Sequence, residues 1–203
     1  MRGRYKKWAA PFLNEHPEFV IETVNKEDGF FKANPLYLEI GAGKGDFVLG
    51  MALRGGNFLA LERDVSVCGH LGKRIADEER NNIKISPKDF DDIYPSLKGL
   101  KFKTIFLNFS DPWPKKKHWK RRLTTKERLT KMASILEDGG EIRFKSDNLS
   151  LYEFTKEEAV KAKLNITLDE PNYVFDEKDD VMSEYERNFR EQGLPIHRLF
   201  IKR

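Results

Sequence analysis

The feature that most constrains the fold of this chain is a glycine-rich segment at residues 39–45, at the end of a short apolar run. Leu36–Ile40 is predicted to be a strand, and Asp46–Leu53 is predicted to be a helix. The segment Glu39-Ile40-Gly41-Ala42-Gly43-Lys44-Gly45 lies where the strand ends and the chain turns into the helix. Glycines permit a tight turn and allow a ligand to approach the backbone closely. A strand, a glycine turn and a helix in this order predict a nucleotide-binding type of βαβ unit.

Strands and helices continue to alternate along the chain. The predicted strands are Leu36–Ile40, Asn57–Glu62, Ile83–Ser86, Lys103–Phe109, Glu141–Lys145, Ile166–Leu168 and Ile196–Ile201, and the predicted helices are Asp46–Leu53, Ser66–Arg80, Thr125–Glu137 and Leu149–Ala162. This alternation implies right-handed crossovers and a mostly parallel sheet with helices on both faces, the α/β class. The last two strands have no helix of normal length between them, so we expect an antiparallel pair at one edge. Thr124 is the expected cap of the third helix and Gly139 its expected end.

The length of 203 residues fits a single domain, 1–203, in which residues 1–35 form an N-terminal extension with short helical pieces. The apolar runs fall far short of the ~20 residues that a membrane span needs, and no apolar signal-peptide core follows the N-terminus. Cys68 is the only cysteine, which excludes an internal disulfide and suits a reducing cytoplasm. Because the histidines are scattered and no cysteine pair is present, no metal site is expected. Monomer and homodimer both stay open.

Positive charge is concentrated in two parts of the chain, although the net charge is only +4. One acid, Glu127, lies within a run of nine basic residues, which are Lys115, Lys116, Lys117, Lys120, Arg121, Arg122, Lys126, Arg128 and Lys131. A second basic group near the N-terminus comprises Arg2, Arg4, Lys6 and Lys7. Charge that is segregated in this way favours a polyanion as the partner.

Two carboxylates accompany the glycine turn. Glu39 precedes the turn, and Glu62 comes at the tip of the second strand, 19 residues after Gly43. An acid before the turn would repel a pyrophosphate, but it would attract the ammonium of a methionine moiety by about 4 kcal/mol at ~4 Å, before desolvation is subtracted. An acid at the tip of the second strand can accept hydrogen bonds from both ribose hydroxyls. Asp89, after the third strand, either bonds the adenine amino group or serves only as a turn-forming aspartate.

These features resemble the class I S-adenosylmethionine methyltransferases. The resemblance implies a Rossmann-like, seven-stranded sheet with the last strand antiparallel, and S-adenosylmethionine bound over the carboxyl ends of its first half. A dinucleotide site is not favoured, because Gly45 comes two positions after Gly43 rather than three. The alternative without function is a turn that only reverses the chain, with Glu62 as a solvated acid.

The stretch Asp111-Pro112-Trp113-Pro114-Lys115 follows the fourth predicted strand. Its prolines fix φ and end the strand, which places Asp111 at the strand tip. Trp113 offers a flat face on which a base can stack, and the basic run that follows offers phosphate contacts. The alternative is a proline-rich loop before a solvated cationic helix.

The run Asp111–Leu123 is similar to that of the tRNA (guanine-N7-)-methyltransferases of bacterial type. Further matches are Arg143–Asn148 at the fifth strand, Ser183–Glu186 near the C-terminus, and the opening Met1–Arg4 together with Trp8. The resemblance covers essentially the whole chain. It implies that the protein methylates N7 of the guanosine at position 46, in the variable loop of tRNA.

By the same resemblance, the matched residues take three roles. The cofactor contacts are Glu39, Gly41, Gly43, Glu62, Asp89 and Asp111, of which Asp111 is also the catalytic residue. The substrate contacts are Lys115, Asp147, Ser183, Glu184, Tyr185 and Glu186, and the RNA contacts are Lys117, His118, Trp119, Lys120, Arg121 and Arg122. The chain departs from the family pattern in a few places. Lys117 lacks the bidentate fork of the commoner arginine, Ser146 and Ser183 replace threonines, and Trp119 is unusual within the basic run.

Transfer to N7 needs no general base, because this nitrogen carries a lone pair and no proton.

Two further interpretations stay open: an enzyme that methylates an exocyclic amine, and a non-catalytic RNA-binding protein on the same fold. The exocyclic-amine enzymes usually carry two consecutive prolines, whereas Trp113 separates the two prolines here. Whether Asp111 or Asp147 recognises the guanine also stays open.

Overall fold

The structure is a computed structural model that describes residues 5–203, apart from the side chain of Lys116. Arg2 and Arg4 of the N-terminal basic group, and the match over Met1–Arg4, therefore lie outside the described residues. The chain divides into two compact units, Met1–Leu100 and Lys101–Arg203. Its seven strands belong to a mixed sheet whose last strand is antiparallel, which confirms the predicted α/β class.

The first unit contains three parallel strands and several helices. Its elements in chain order are α1 (Ala9–Glu15), a 3-10 helix (Gly29–Lys32), β1 (Leu36–Ile40), α2 (Asp46–Ala52), β2 (Asn57–Leu61), α3 (Val65–Asp77), β3 (Ile83–Ser86) and α4 (Phe90–Leu97). Both β1 and β3 pair with β2. Four consecutive residues of β2, Phe58–Leu61, are at most 1% exposed. Such a continuous apolar run is typical of a parallel strand that is covered on both faces.

Two glycines of α3 allow α1 to pack closely against it. A Cβ atom on Gly69 would lie 2.6 Å from the Cβ of Ala9, and one on Gly72 would lie 3.1 Å from Cε1 of Phe12. Trp8 borders this contact, and the Nζ of Lys73 lies 4.1 Å from its ring centroid. The two glycines therefore set the distance between α1 and α3.

Helix α4 is absent from the predicted elements, although its start has a clear signal. The side chain of Asp89 accepts a hydrogen bond from the backbone N–H of Asp91, which makes Asp89 the N-cap. Pro95 lies inside the helix. A proline in a helix interior removes a backbone donor and argues against a helix in the sequence pattern.

The second unit contains four strands in the order β4-β5-β7-β6. Its elements are β4 (Phe102–Asn108), a 3-10 helix (Lys116–Arg121), α5 (Lys126–Ser134), β5 (Leu136–Ser146), α6 (Leu149–Lys161), β6 (Asn165–Glu170), α7 (Glu184–Glu191) and β7 (His197–Lys202). β4 and β5 are parallel, whereas β7 runs antiparallel to both β5 and β6. The predicted antiparallel pair at the end of the chain is confirmed, but the sequence pattern missed α7 between its two strands.

The predicted end of α5 at Gly139 is wrong. α5 ends at Ser134, and β5 begins two residues later at Leu136. Gly139 instead lies in an irregular part of β5, with φ of +79°. A Cβ atom on Gly140 would lie 2.9 Å from the carbonyl oxygen of Phe102 on β4, so these glycines serve a close approach of two strands.

The predicted cap at Thr124 is also wrong. The N-cap of α5 is Thr125, and its side chain makes no capping hydrogen bond. The carboxylate of Glu158 in α6 accepts the hydrogen bond from the backbone N–H of Lys126 at 2.7 Å. Thr124 is buried, and its hydroxyl accepts a hydrogen bond from Thr155 at 2.8 Å. A residue 32 positions away in the sequence thus supplies the cap, and a local pattern does not show it.

Within residues 5–203, no helix combines the length and the apolar composition that crossing a bilayer requires.

We predict that Gly69→Val lowers the free energy of unfolding by about 1–3 kcal/mol, because the added methyl groups force α1 away from α3. Asp77→Val is the control, since it introduces the same β-branched residue at an exposed position of α3. Urea unfolding followed by circular dichroism measures both variants. Equal unfolding midpoints for the two would contradict the close packing of α1 on α3.

Candidate functional site

Parallel pairing in the first unit brings three predicted acids to one edge of its strands. Glu39 is the penultimate residue of β1, Glu62 follows β2 directly, and Asp89 follows β3. The register aligns the ends of these strands, because Ile40 pairs with Leu61. Carboxyl ends of parallel strands are where ligands bind in open α/β sheets. The first unit therefore has a candidate ligand site at this edge.

The glycine turn after β1 leaves open space beside its backbone. The N–H groups of Gly41 and Ala42 both donate to the carbonyl of Leu61, at 2.8 and 3.0 Å. Gly41 and Gly43 have φ of +83° and +58°, and a Cβ atom on either would meet nothing within 4 Å. Gly45 differs, because a Cβ atom there would lie 2.2 Å from Cδ1 of Leu71. Gly41 and Gly43 thus leave open space in which a ligand would fit, whereas Gly45 serves helix packing.

Glu62 connects the glycine turn to the start of α3. Its Oε2 accepts a hydrogen bond from the N–H of Gly43 at 3.0 Å, and its Oε1 accepts one from the N–H of Asp64 at 2.9 Å. Asp64 in turn caps α3 by accepting from the N–H groups of Ser66 and Val67. Burial raises the pKa of the Glu62 carboxyl above its ordinary value of 4.5. A carboxylate has about four lone-pair sites, so each oxygen of Glu62 can accept one more hydrogen bond from a ligand hydroxyl.

Glu39 and Asp89 differ in their exposure to solvent and in the interactions that their side chains make. Glu39 is only 2% exposed, on a strand that is otherwise apolar. Burial of an acid is costly unless a specific interaction compensates for it, so an acid at this position favours a functional role. Asp89 is more accessible, caps α4, and forms an ion pair with Arg63 at 3.4 Å. Asp89 therefore has a local structural role at the start of α4, and this role is compatible with a ligand contact.

In the second unit, the loop after β4 holds two strained residues. Phe109 and Trp113 have φ of +53° and +42°, in the left-handed region. Such conformations cost about 1–3 kcal/mol each in non-glycine residues and cluster at functional sites. The guanidinium of Arg121 lies 5.0 Å from the ring centroid of Trp113. Asp111, between the strained residues, is exposed.

The basic run after this loop presents most of its charges to solvent. Lys115, Lys117, Lys120 and Arg121 are exposed, and Trp119 is 40% exposed. The Nζ of Lys120 lies 5.7 Å from the ring centroid of Trp119. An exposed aromatic ring among cations suits a single-stranded or looped nucleic acid, since bases stack and phosphates pair with the cations.

Arg122 differs from the rest of the run, because it is only 9% exposed. Its Nε donates to the carbonyl of Pro112 at 2.9 Å, and its guanidinium lies 4.5 Å from the ring centroid of Phe154. His118 is half-buried, with its ring edge toward Trp113. Arg122 therefore holds the proline-containing loop in shape.

The structure separates the four predicted substrate contacts of segment 183–186. Ser183 caps α7 by accepting from the N–H of Glu186 at 3.2 Å. Glu184 and Tyr185 are exposed, and Tyr185 has 62% of its surface open to solvent. Glu186, in contrast, is fully buried and forms ion pairs with Lys145 at 2.7 Å and with Arg190 at 2.8 Å.

Two further predicted contacts, Asp147 and Lys115, are accessible. Asp147 directly follows β5 and is partly exposed, and its neighbour Asn148 caps α6 through a hydrogen bond from the N–H of Leu151 at 2.9 Å.

Among residues 5–203, no group of three or more His, Cys, Asp or Glu side chains is arranged to hold a metal ion.

Sequence reasoning missed three residues that the structure brings together, namely Lys145, Asp180 and Arg190. Lys145 is 4% exposed, and its Nζ lies 2.7 Å from Oδ2 of Asp180. The sequence does not mark it, because β5 carries five charged residues, Glu137, Asp138, Glu141, Arg143 and Lys145, and their burial cannot be told apart from the local pattern. The identity of the partner is not visible in the sequence, since Asp180 lies 35 positions away.

Comparison with known proteins shows similarity over the whole chain. A family profile described as "Putative methyltransferase" matches residues 33–199. The tRNA (guanine-N(7)-)-methyltransferase of Staphylococcus haemolyticus is 36% identical over 213 residues, which cover 100% of this chain and 98% of that protein. The protein of the same name from Limosilactobacillus reuteri is 37% identical over 209 residues, which cover 98% of both.

Two solved methyltransferase structures have a similar fold. An antibiotic-related methyltransferase has a TM-score of 0.64 at 13% identity, over 88% of this chain and 92% of that chain. An O-methyltransferase from neocarzinostatin biosynthesis, solved with S-adenosylmethionine and 2-hydroxy-5-methyl naphthoic acid, has a TM-score of 0.56 at 12% identity, over 83% and 48% respectively. At these identities the similarity concerns the fold alone.

We predict that Glu62→Gln weakens S-adenosylmethionine binding about tenfold or more, because a charged acceptor is replaced by an amide with a single acceptor oxygen. The ionised carboxylate is the binding form, and it prevails above its raised pKa. The affinity of the unsubstituted protein for S-adenosylmethionine should therefore fall as the pH is lowered through that pKa. The variant should lack this pH dependence.

Isothermal titration calorimetry at several pH values measures both effects. Glu15→Gln is the control, since Glu15 is an exposed acid at the end of α1. If Glu62→Gln kept the affinity and the pH dependence of the control, Glu62 would have no role in cofactor binding.

Proposed function

We propose that this chain, which belongs to the family of tRNA (guanine-N(7)-)-methyltransferases, transfers the methyl group of S-adenosylmethionine to N7 of a guanine in tRNA. The observation that carries this proposal is the similarity of the chain over its full length to relatives of that name. The two units supply residues for the two reactants: a cradle of glycines and acids for the methyl donor, and an exposed aromatic and cationic surface for the RNA.

The first unit is suited to S-adenosylmethionine, which supplies an activated methyl group on a sulfonium. The open backbone at Gly41 and Gly43 admits the ligand, and the spare lone pairs of Glu62 accept the ribose hydroxyls. Glu39 attracts the ammonium of the methionine moiety, and Asp89 accepts from the adenine amino group. A carboxylate beside the glycine turn repels a pyrophosphate and attracts an ammonium group, which favours this ligand over a dinucleotide.

The main work of the protein is to align the reactants. Guanine N7 is already a nucleophile, so no side chain has to remove a proton from it. Well-oriented approach of two reactants can supply about 7–11 kcal/mol of a barrier. We assign Asp111 as the catalytic residue, because a carboxylate stabilises the positive charge that develops on the guanine ring. Asp147 and Asp111 are the two candidates for recognition of the guanine edge.

The second unit recognises the RNA. Lys117, Lys120 and Arg121 contact phosphates, and Lys115 contacts the substrate near the reacting base. We place the target at position 46 in the variable loop, where the guanine must leave its tertiary contacts at a cost of a few kcal/mol. Trp113 and the exposed Tyr185 can offset this cost by stacking. A tRNA substrate implies that the protein acts in the cytoplasm.

We predict that the purified protein, given labelled S-adenosylmethionine and unmodified tRNA, forms 7-methylguanosine, and that Asp111→Asn lowers kcat by about 10²–10³-fold because a stabilising charge is lost. Nucleoside analysis by mass spectrometry identifies the product, and nuclease digestion locates it. Asp138→Asn, at an exposed position of β5, is the control.

The same assay separates the alternatives. N6-methyladenosine as the product would indicate an enzyme that methylates an exocyclic amine. tRNA binding without measurable affinity for S-adenosylmethionine would indicate a non-catalytic RNA-binding protein. Full turnover by folded Asp111→Asn would remove Asp111 from the catalytic role.

We predict that a triple variant with glutamine at Lys117, Lys120 and Arg121 binds tRNA more weakly and with a smaller salt dependence. Each lost phosphate contact removes about 0.7–0.9 from the slope of log affinity against log salt, so the slope should fall by about 2–3. Arg122 is left unchanged, because it is buried and holds the carbonyl of Pro112.

The control is a triple variant of equal charge change, with glutamine at the exposed residues Lys101, Lys103 and Lys163. Filter binding at several salt concentrations measures all three proteins. An equal reduction of the slope in both triple variants would show that only the net charge matters, and would contradict a specific RNA contact at residues 117–121.

A further inference from the structure

The second unit contains a buried network of charged side chains, and the proposed reaction does not require the ion pairs that form it. The Nζ of Lys145 lies 2.7 Å from both Oδ2 of Asp180 and Oε2 of Glu186. The other carboxylate oxygen of Glu186 accepts from Nε and Nη2 of Arg190, at 3.0 and 2.8 Å. Arg190 also donates to the carbonyl of Tyr173 at 3.1 Å. Lys145 and Glu186 are each at most 5% exposed at the side chain.

This network attaches α7 to β5 through the ion pair of Glu186 with Lys145. The single buried residue of α7 is Glu186, a carboxylate, whereas most of its other residues are exposed. Helices of globular proteins are normally held by an apolar stripe. Aromatic rings also contact α7, because the ring centroids of Phe189 and Phe109 are 5.8 Å apart and the guanidinium of Arg190 lies 5.2 Å from the ring centroid of Tyr173. The orientation of α7 therefore depends on where Lys145 holds Glu186.

Lys145 also connects α7 to the strained loop after β4. Its backbone carbonyl accepts a hydrogen bond from the N–H of Phe109 at 2.9 Å. Phe109 has φ of +53° and begins the loop that carries Asp111. The residue two positions after Lys145 is Asp147, a candidate for guanine recognition. One lysine thus contacts or adjoins three segments to which the proposed function assigns substrate contacts.

We propose that Lys145 is a positioning residue, which holds α7 through Glu186 so that the exposed Tyr185 and Glu184 meet the tRNA. In this proposal, which rests on the proposed function, Lys145 acts through Glu186, and Glu186 does not touch the guanine. The geometry supports this role, because both oxygens of Glu186 are already engaged by Lys145 and Arg190 inside the protein. Removal of Lys145 leaves one oxygen of the buried Glu186 carboxylate without its charged partner, so the helix should lose its fixed orientation.

The first arm of the test does not depend on methyl transfer. Amide hydrogen exchange of α7 is measured in the unsubstituted protein, in Lys145→Met, and in Glu186→Gln, which keeps the volume of the side chain. We expect the protection of α7 to fall about tenfold or more in both variants, while the protection of β1 to β3 is retained. Lys156→Met is the control, because Lys156 pairs with Glu153 and Asp169 near the surface of the same unit. Unchanged protection of α7 in Glu186→Gln would overturn the proposal.

The second arm measures kcat/KM for tRNA in a double-mutant cycle. Lys145→Met should lower kcat/KM about tenfold or more in the unsubstituted protein, but by much less when Tyr185→Ala has already removed the side chain that α7 presents. The affinity for S-adenosylmethionine should stay within about twofold, because that ligand is assigned to the first unit. Equal effects of Lys145→Met in the two backgrounds would overturn the role of Lys145 in presenting Tyr185.

The two arms also distinguish this proposal from the proposed function. Loss of α7 protection in a protein that forms no 7-methylguanosine would support the attachment of α7 and contradict the proposed reaction. Loss of turnover in Glu186→Gln with full α7 protection would assign Glu186 to direct substrate contact and contradict the positioning role.

Discussion

Parallel pairing of β1, β2 and β3 is the constraint on which the chemistry of the first unit depends. Because the three strands run in one direction, their carboxyl ends lie at one edge, and the residues that follow them come together there. Glu62 consolidates this edge by accepting hydrogen bonds from the turn after β1 and from the start of α3. A carboxylate with spare lone pairs, next to an open glycine backbone, would suit a ligand with hydroxyl donors.

The second unit uses charge in two different ways. On the basic run, Lys117, Lys120 and Arg121 stay in water, where they lose little solvation energy and can exchange counterions for RNA phosphates. In the interior, Lys145 and Glu186 are removed from water and must pair with each other and with further charged groups. In our proposals, the exposed charges give affinity for a polyanion, and the buried ones give α7 a defined orientation.

Most of the fold could be predicted from the sequence, because its signals are local. The strands β1 and β3 have the predicted bounds, and the antiparallel end of the sheet is predicted because no helix of normal length is evident before β7. The failures involve partners that are distant in sequence or patterns that contradict the local preference. Glu158 replaces the expected cap at α5, Gly139 lies within a strand, and α4 forms despite an internal proline.

The sequence by itself determined the order of the seven strands, the turns and the longer helices, and the residue types that a methyl donor and an RNA require. It did so because glycine turns, proline loops and charge runs act over a few residues. Only the tertiary structure decided which charged residues are accessible. Arg122 and Glu186 look like their exposed neighbours in the sequence, yet both are buried. Burial of a charge depends on its partner, and for Glu186 that partner, Lys145, lies 41 positions away.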